Sequence, residues 1–187
     1  MTQRRMGTES SATRAQLLDV VEQLMLNEGY AAVGVRRVAR EAGVAPALIH
    51  YYFRKLDDLF LAVLHRNAER ELESLQQVAG TPRPLHALWE RGSHPAAAAM
   101  TTEFLALANH RKQIRSEIAK HATRFREAEV EIIEKAVEGR TDLPPVAIST
   151  LIAILSRTLV LEEQLGLTVG HAAARTAVTL QLDALEP

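Results

Sequence analysis

The sequence predicts an all-α chain of about nine helices, a compact three-helix head at the N-terminus followed by a longer helical body. Three observations carry this reading. Apolar residues recur at helical spacing over nearly the whole length, and the period-two alternation of a strand is absent. Gly and Pro fall in clusters, "GTPRPL", "GSHP", "EGRTDLPP" and "LGLTVG", that divide the pattern into helix-length pieces. Near the N-terminus two very short pieces are joined by a turn containing Gly43, the helix-turn-helix arrangement.

Each element follows from its own residues. Leu17, Leu18, Val21, Leu24 and Met25 form an amphipathic stripe, opened by a capping box of Thr13 and Gln16 and closed at Gly29. Residues 1–12 read as a flexible polar arm. Gly34 caps a second, short helix with Val35, Val38, Ala39 and Ala42 inward, and after Gly43 a third short helix carries Leu48, Ile49, Tyr52 and Phe53. Val38, Ala39, Ala42, Ile49 and Phe53 are read as core. A longer helix starts near Asp57, with Leu59, Phe60, Val63 and Leu64 inward. Further helices are expected near 84–91, 95–109, 111–138, 144–165 and 171–185. The chain thus divides into the arm, a head over 13–56 and a body over 57–187.

The last two helices differ from the rest. "VAISTLIAILSRTLVLEEQ" is apolar around most of its circumference, which implies burial on two sides. "HAAARTAVTLQLDAL" presents Ala173, Ala174 and Ala177, small residues that let another helix approach closely. One face serves the chain's own core. The other fits a second copy in a four-helix interface, or else the pair is a fully enclosed central hairpin.

Composition narrows the function. The 187 residues are 47% hydrophobic and 24% charged, enough for a real core. Cysteine is absent, which excludes disulfides and thiolate metal sites and fits a reducing cytosol. No uninterrupted apolar run approaches the ~18–20 residues of a membrane span. "MTQRRMGTESSATR" lacks the apolar stretch of a signal peptide, so a cytoplasmic protein without a membrane partner is expected. Seven histidines invite a metal reading, yet no His-Glu-x-x-His or other recognised ligand spacing occurs. There is also no Gly-rich phosphate loop and no Gly-x-Ser-x-Gly elbow. No enzyme, cofactor or metal is expected, and a helical metalloenzyme is the remote alternative. Net charge is −1, but residues 1–56 hold eight Lys/Arg against five Asp/Glu, and residues 57–187 fourteen against eighteen. Only the basic head suits a polyanion.

The stretch "GYAAVGVRRVAREAGVAPALIHYYFRKLDDLFLAVL" resembles the DNA-binding region of the TetR family of bacterial transcriptional regulators. The likeness covers about residues 13–64: the capped first helix, the Gly29-Tyr30 end, the "VRRVAREAGV" helix and turn, the "HYYF" close of the recognition helix and the acidic start of helix four. The remaining two-thirds is similar in helix count, order and the character of its last pair. The resemblance implies a ligand-responsive regulator, a repressor released from a quasi-palindromic double-stranded operator by a small lipophilic molecule. It also implies a homodimer formed through residues 144–185.

On the family's pattern Arg36 meets a base edge or phosphate from the second helix. Ala45, Pro46, Ala47 and Leu48 open the recognition helix, and His50 and Tyr51 reach the phosphate backbone and nearby bases. Small residues let a short helix approach the groove floor, where Ala or Leu packs on thymine methyls. Arg14 would add a phosphate contact, whereas Arg4 and Arg5 read as a solvated tail. Three positions depart from the family. Gly34 stands where members carry a Thr or Ser cap, and offers no side-chain oxygen. Lys55-Leu56 replaces the usual Ser or Asn followed by Lys, so the phosphate-seeking charge comes from Lys55 or Arg54. The third helix has no Lys, Gln or Asn for bidentate base contacts.

By the same resemblance the body senses a ligand. Trp89, Met100, Phe104, Leu107 and Phe125, with His110 and His121, either line a mostly apolar pocket or are ordinary core. Arg157, inside an apolar segment, meets Glu162 or Glu163, or binds an anionic ligand group; the pair is favoured. A non-sensing helix-turn-helix or architectural protein, with the same head and no pocket, is the main alternative.

Overall fold

The computed structural model describes residues 2–186, with side chains from 12 onward. These residues form nine α-helices and no strand. The helices are α1 Thr2–Glu28, α2 Val35–Glu41, α3 Pro46–Tyr52, α4 Leu56–Ala79, α5 Pro84–Gly92, α6 Pro95–His110, α7 Lys112–Val137, α8 Pro145–Gln164 and α9 His171–Leu185. A 3-10 turn, Tyr30–Ala32, separates α1 from α2.

The start of α1 departs from expectation. α1 begins at Thr2, inside the segment read as an arm, and no proline interrupts it. Gln16 is therefore no capping partner: its Nε2 donates to the Ala42 carbonyl (3.1 Å), at the end of α2. The side chains of Arg4 and Arg5 lie outside the described residues. Gly29 does end the helix, with φ 84° and its N–H on the Met25 carbonyl (3.1 Å).

The chain packs as two compact units, and neither follows a linear division at residue 56. The first joins Met1–Asn67 to Met100–Ile118. Its core takes Leu17, Leu18, Val21 and Met25 from α1, Val38 and Ala39 from α2, Ile49 from α3, and Leu59, Phe60 and Val63 from α4. Met100, Phe104 and Leu107 of α6 and Ile114 of α7 complete it. Burying each such side chain contributes about 1.5–3 kcal/mol. Arg66 of α4 ties the unit to α1 through Asp19 (2.7 Å) and Glu22 (2.8 Å).

The second unit joins Ala68–Ala99 to Ala119–Pro187. Leu75, Leu85, Leu88, Trp89, Ile133, Ile148, Ile152, Leu159 and Leu182 are its core, with Phe125 packed against them. The N-terminus of α5 is capped from the far end of the chain. Glu186 accepts the N–H groups of Leu85 (2.7 Å) and His86 (3.2 Å), satisfying donors that a helix start leaves without partners.

α8 has 20 residues, and an 18-residue window of it has a mean hydropathy of 1.6, long and apolar enough to cross a membrane by length and composition alone. Its apolar run is not uninterrupted, since Ser149, Thr150, Ser156, Arg157 and Thr158 break it. A third of that window is buried within the chain. Arg157 is exposed, and Glu162 and Glu163 are occupied by His171 (2.8 and 3.4 Å) and Arg175 (2.8 Å) of α9, so the expected Arg157 pair does not form.

Candidate nucleic-acid interface

The turn between α2 and α3 is built from local chemistry. Gly43 sits at φ 68°, the left-handed region that favours glycine. Its N–H donates to the Arg40 carbonyl (3.2 Å) and that of Val44 to Ala39 (2.9 Å), the paired bonds of a Schellman stop. Ala45 is extended (φ −71°, ψ 141°), and Pro46 at the first helical position presets the backbone for α3.

Inside α3, Ile49 and then Phe53 are buried, so the rest of the short helix must face out. Ala45, Pro46, Ala47 and His50 are exposed, Leu48 is half-buried, and Tyr51 is 77% exposed. The Tyr51 and Tyr52 rings stand edge to face at 5.1 Å, which holds Tyr51 outward. Exposing a large aromatic ring beside three small residues serves no core.

The charges around this face divide into paired and free. Arg37 donates to Glu28 (2.7 Å) and Glu41 (2.9 Å), and is spoken for. Arg40 and then Arg37 hold the Glu41 carboxyl below the usual carboxylate range. Arg36 is exposed and enters no ion pair among the described residues. Arg14 lies 5.3 Å over the Phe53 ring, beside the end of α3. Gly34 caps α2 without a side-chain bond and in open space. Lys55 keeps an exposed side chain while its N–H donates to Asp58 (3.0 Å), half of a capping box for α4.

A family model described as "Bacterial regulatory proteins, tetR family" matches residues 17–63, the region just described. Residues 17–63 are thus similar to the DNA-binding region of that family. The chain is also similar to the HTH-type transcriptional regulator BetI of Brucella canis, 38% identical over 72 residues. That match takes in 37% of this chain and 36% of BetI, so the chain spans about a third of the relative's length. The likeness in fold extends further. A TetR-family transcriptional regulator from Rhodococcus sp. superposes with a TM-score of 0.74 over 94% of this chain and all of its own, at 19% identity. A transcriptional regulator from Saccharomonospora viridis, solved in complex with choline, gives 0.72 over 81% and 85%, at 20% identity.

The residues expected to line a ligand pocket divide between the two units. Met100, Phe104 and Leu107 are buried in the core of the first unit. Trp89 belongs to the core of the second, with Phe125 against it. His110 is exposed and His121 half-buried. An apolar stripe has the same spacing whether it faces a cavity or a neighbouring helix. Sequence reasoning missed Glu103 and the partner that Arg111 takes. Glu103 accepts the Tyr30 N–H (2.6 Å), and Arg111 pairs with Asp57 and lies over the Phe60 ring. It also missed Glu129, 6% exposed, whose carboxyl burial pushes up against the opposing Ser149 bond (2.6 Å) and Arg126.

Proposed function

We propose that the protein is a DNA-binding transcriptional regulator, a cytoplasmic homodimer that represses from a quasi-palindromic operator and is released by a small molecule. The observation that carries DNA binding is the outer face of α3 within a TetR head: small Ala45–Ala47 flanked by exposed His50 and Tyr51. In this reading α3 enters the major groove, where alanines approach the base edges and the two rings grip the groove wall. Arg36, Arg14 and Lys55 meet phosphates, which fix register and give binding its salt dependence.

Dimerisation rests on α8 and α9. Leu151, Ile154 and Leu155 form an exposed apolar stripe on α8, and Leu180 continues it on α9. A two-fold partner would bury this stripe in a four-helix packing. Release requires the effector to prefer the form that does not bind DNA; a tenfold loss of operator affinity corresponds to about 1.4 kcal/mol of coupling.

The effector was expected to be lipophilic, and a second reading is a small organic cation. What supports it is the Saccharomonospora viridis protein of similar fold, solved in complex with choline.

The direct test uses a duplex recovered by the wild-type protein from a random pool. The double variant His50→Ala/Tyr51→Ala should bind it at least about tenfold more weakly at fixed salt, with dimer content unchanged. Unaltered affinity would take α3 out of the interface.

A further inference from the structure

α6 contributes more than core to the first unit. Glu103 lies between Met100, Phe104 and Leu107, so those three buried side chains fix where its half-buried carboxylate stands. That carboxylate accepts the Tyr30 N–H at 2.6 Å, a charge-assisted bond, and also lies 3.3 Å from where a Gly29 Cβ would be. A bulkier residue than glycine at position 29 would press on it. At the α6–α7 corner, Arg111 pairs with Asp57 and stacks over Phe60 at 5.4 Å. Asp57 is in the first turn of α4, where a carboxylate already suits the helix dipole.

The two contacts bracket the helix-turn-helix. Tyr30 stands five residues before α2 begins and Asp57 five residues after α3 ends. No covalent link joins α6 to either flank nearby, so these polar bonds, together with the buried stripe, tie the segment between them to α6. α6 itself starts at Pro95, outside the unit it grips, and α7 leaves the unit beyond Ile118.

We infer that Glu103 and Arg111 are positioning residues for DNA binding, a two-point clamp by which the α6–α7 corner holds both ends of the α2–α3 segment in its DNA-competent arrangement. The inference rests on the DNA-binding reading above. A shift of α6 moves both grips at once, because they sit eight residues apart on either side of the helix end. The buried stripe alone would hold the core, and the polar grips set the register of the segment on it. Neither residue needs to touch DNA.

The test compares full-length Glu103→Ala, Arg111→Ala, Glu103→Gln and the charge-exchanged pair Asp57→Arg/Arg111→Asp with wild type. Affinity for the duplex recovered by the wild-type protein is measured alongside thermal unfolding. Each alanine variant should bind about tenfold more weakly while still unfolding cooperatively, at a temperature well above that of the binding measurement. Glu103→Gln, whose amide oxygen still accepts the Tyr30 N–H, should bind close to wild type, and the exchanged pair should recover most of the loss of Arg111→Ala. Alanine variants that bind as tightly as wild type would overturn the clamp. So would losses of binding that track losses of fold through all four variants, since the residues would then be structural only. A wild-type protein that recovers no duplex overturns the DNA-binding reading itself, a result separate from either.

Discussion

Gly92, the last residue of α5, stands where α5 crosses α8, and a Cβ added there would overlap Ser156 Oγ and come within 3.1 Å of Ser156 Cβ. Ser156 is fully buried and too short to swing aside, so the helices themselves would have to part. Gly92→Ala should destabilise the protein by about 1–3 kcal/mol in urea unfolding, and Ser156→Gly in the same chain should restore most of that. Unchanged stability in the single variant would show that the crossing has slack. At this scale the sequence was legible wherever a residue answers to its own backbone. Gly43 and Pro46 are set by the turn they make, and Gly29 by the helix it stops. Residues that answer to distant partners were not legible. Gln16 looks like a capping partner for Thr13 and instead bonds Ala42, 26 positions away. Arg157 was expected to meet acids on its own helix, but those acids turn to α9, where His171 and Arg175 reach them.

The α8–α9 hairpin shows what such partners do for an element. Gly170, at φ 86°, starts α9 directly after the loop, and His171 follows it, 6% exposed, between Glu162 and Glu163 of α8. The hydrogen bond with Glu162 first, then that with Glu163, raises the imidazole above its ordinary value near 6.5, with burial opposing. Arg175 and then His171 in turn lower Glu163, which stays ionised through the range. A folded-state value above the unfolded one stabilises the hairpin fully below about pH 6.5, and that contribution is lost as pH rises through the folded value. The difference in unfolding temperature between wild type and His171→Gln should therefore be largest near pH 5.5 and shrink as pH rises. Glu129, also raised, acts in the same direction but cancels in the difference. A difference independent of pH would remove the imidazolium from the account. Helix boundaries after residue 80 were readable within a residue or so from Gly and Pro. The partner of each helix was not: the Met100, Phe104 and Leu107 stripe fits a pocket and a core equally well, and the fold spends it on the core of the head's unit.

At the scale of the molecule, the basic N-terminal segment packs in one unit with residues 100–118, so the surface proposed to read DNA is completed by residues far along the chain. A family match ending at residue 63 therefore takes in α2 and α3 and leaves out the α6 and α7 residues packed with them. The exposed leucines and isoleucine of α8 belong to this scale too, because a second copy would cover them and would fix the distance between two α3 helices. A single chain offers one short helix with small side chains, a weak reader; two held at a fixed spacing add their contacts without new chemistry. The measurement that tests this most directly is selection of duplex DNA from a random pool by the full-length wild-type protein, with the recovered sequences determined. The account predicts enrichment of one sequence with two-fold related halves whose centres lie about one helical turn, or a whole number of turns, apart. A pool that stays random after repeated rounds at low salt would contradict it.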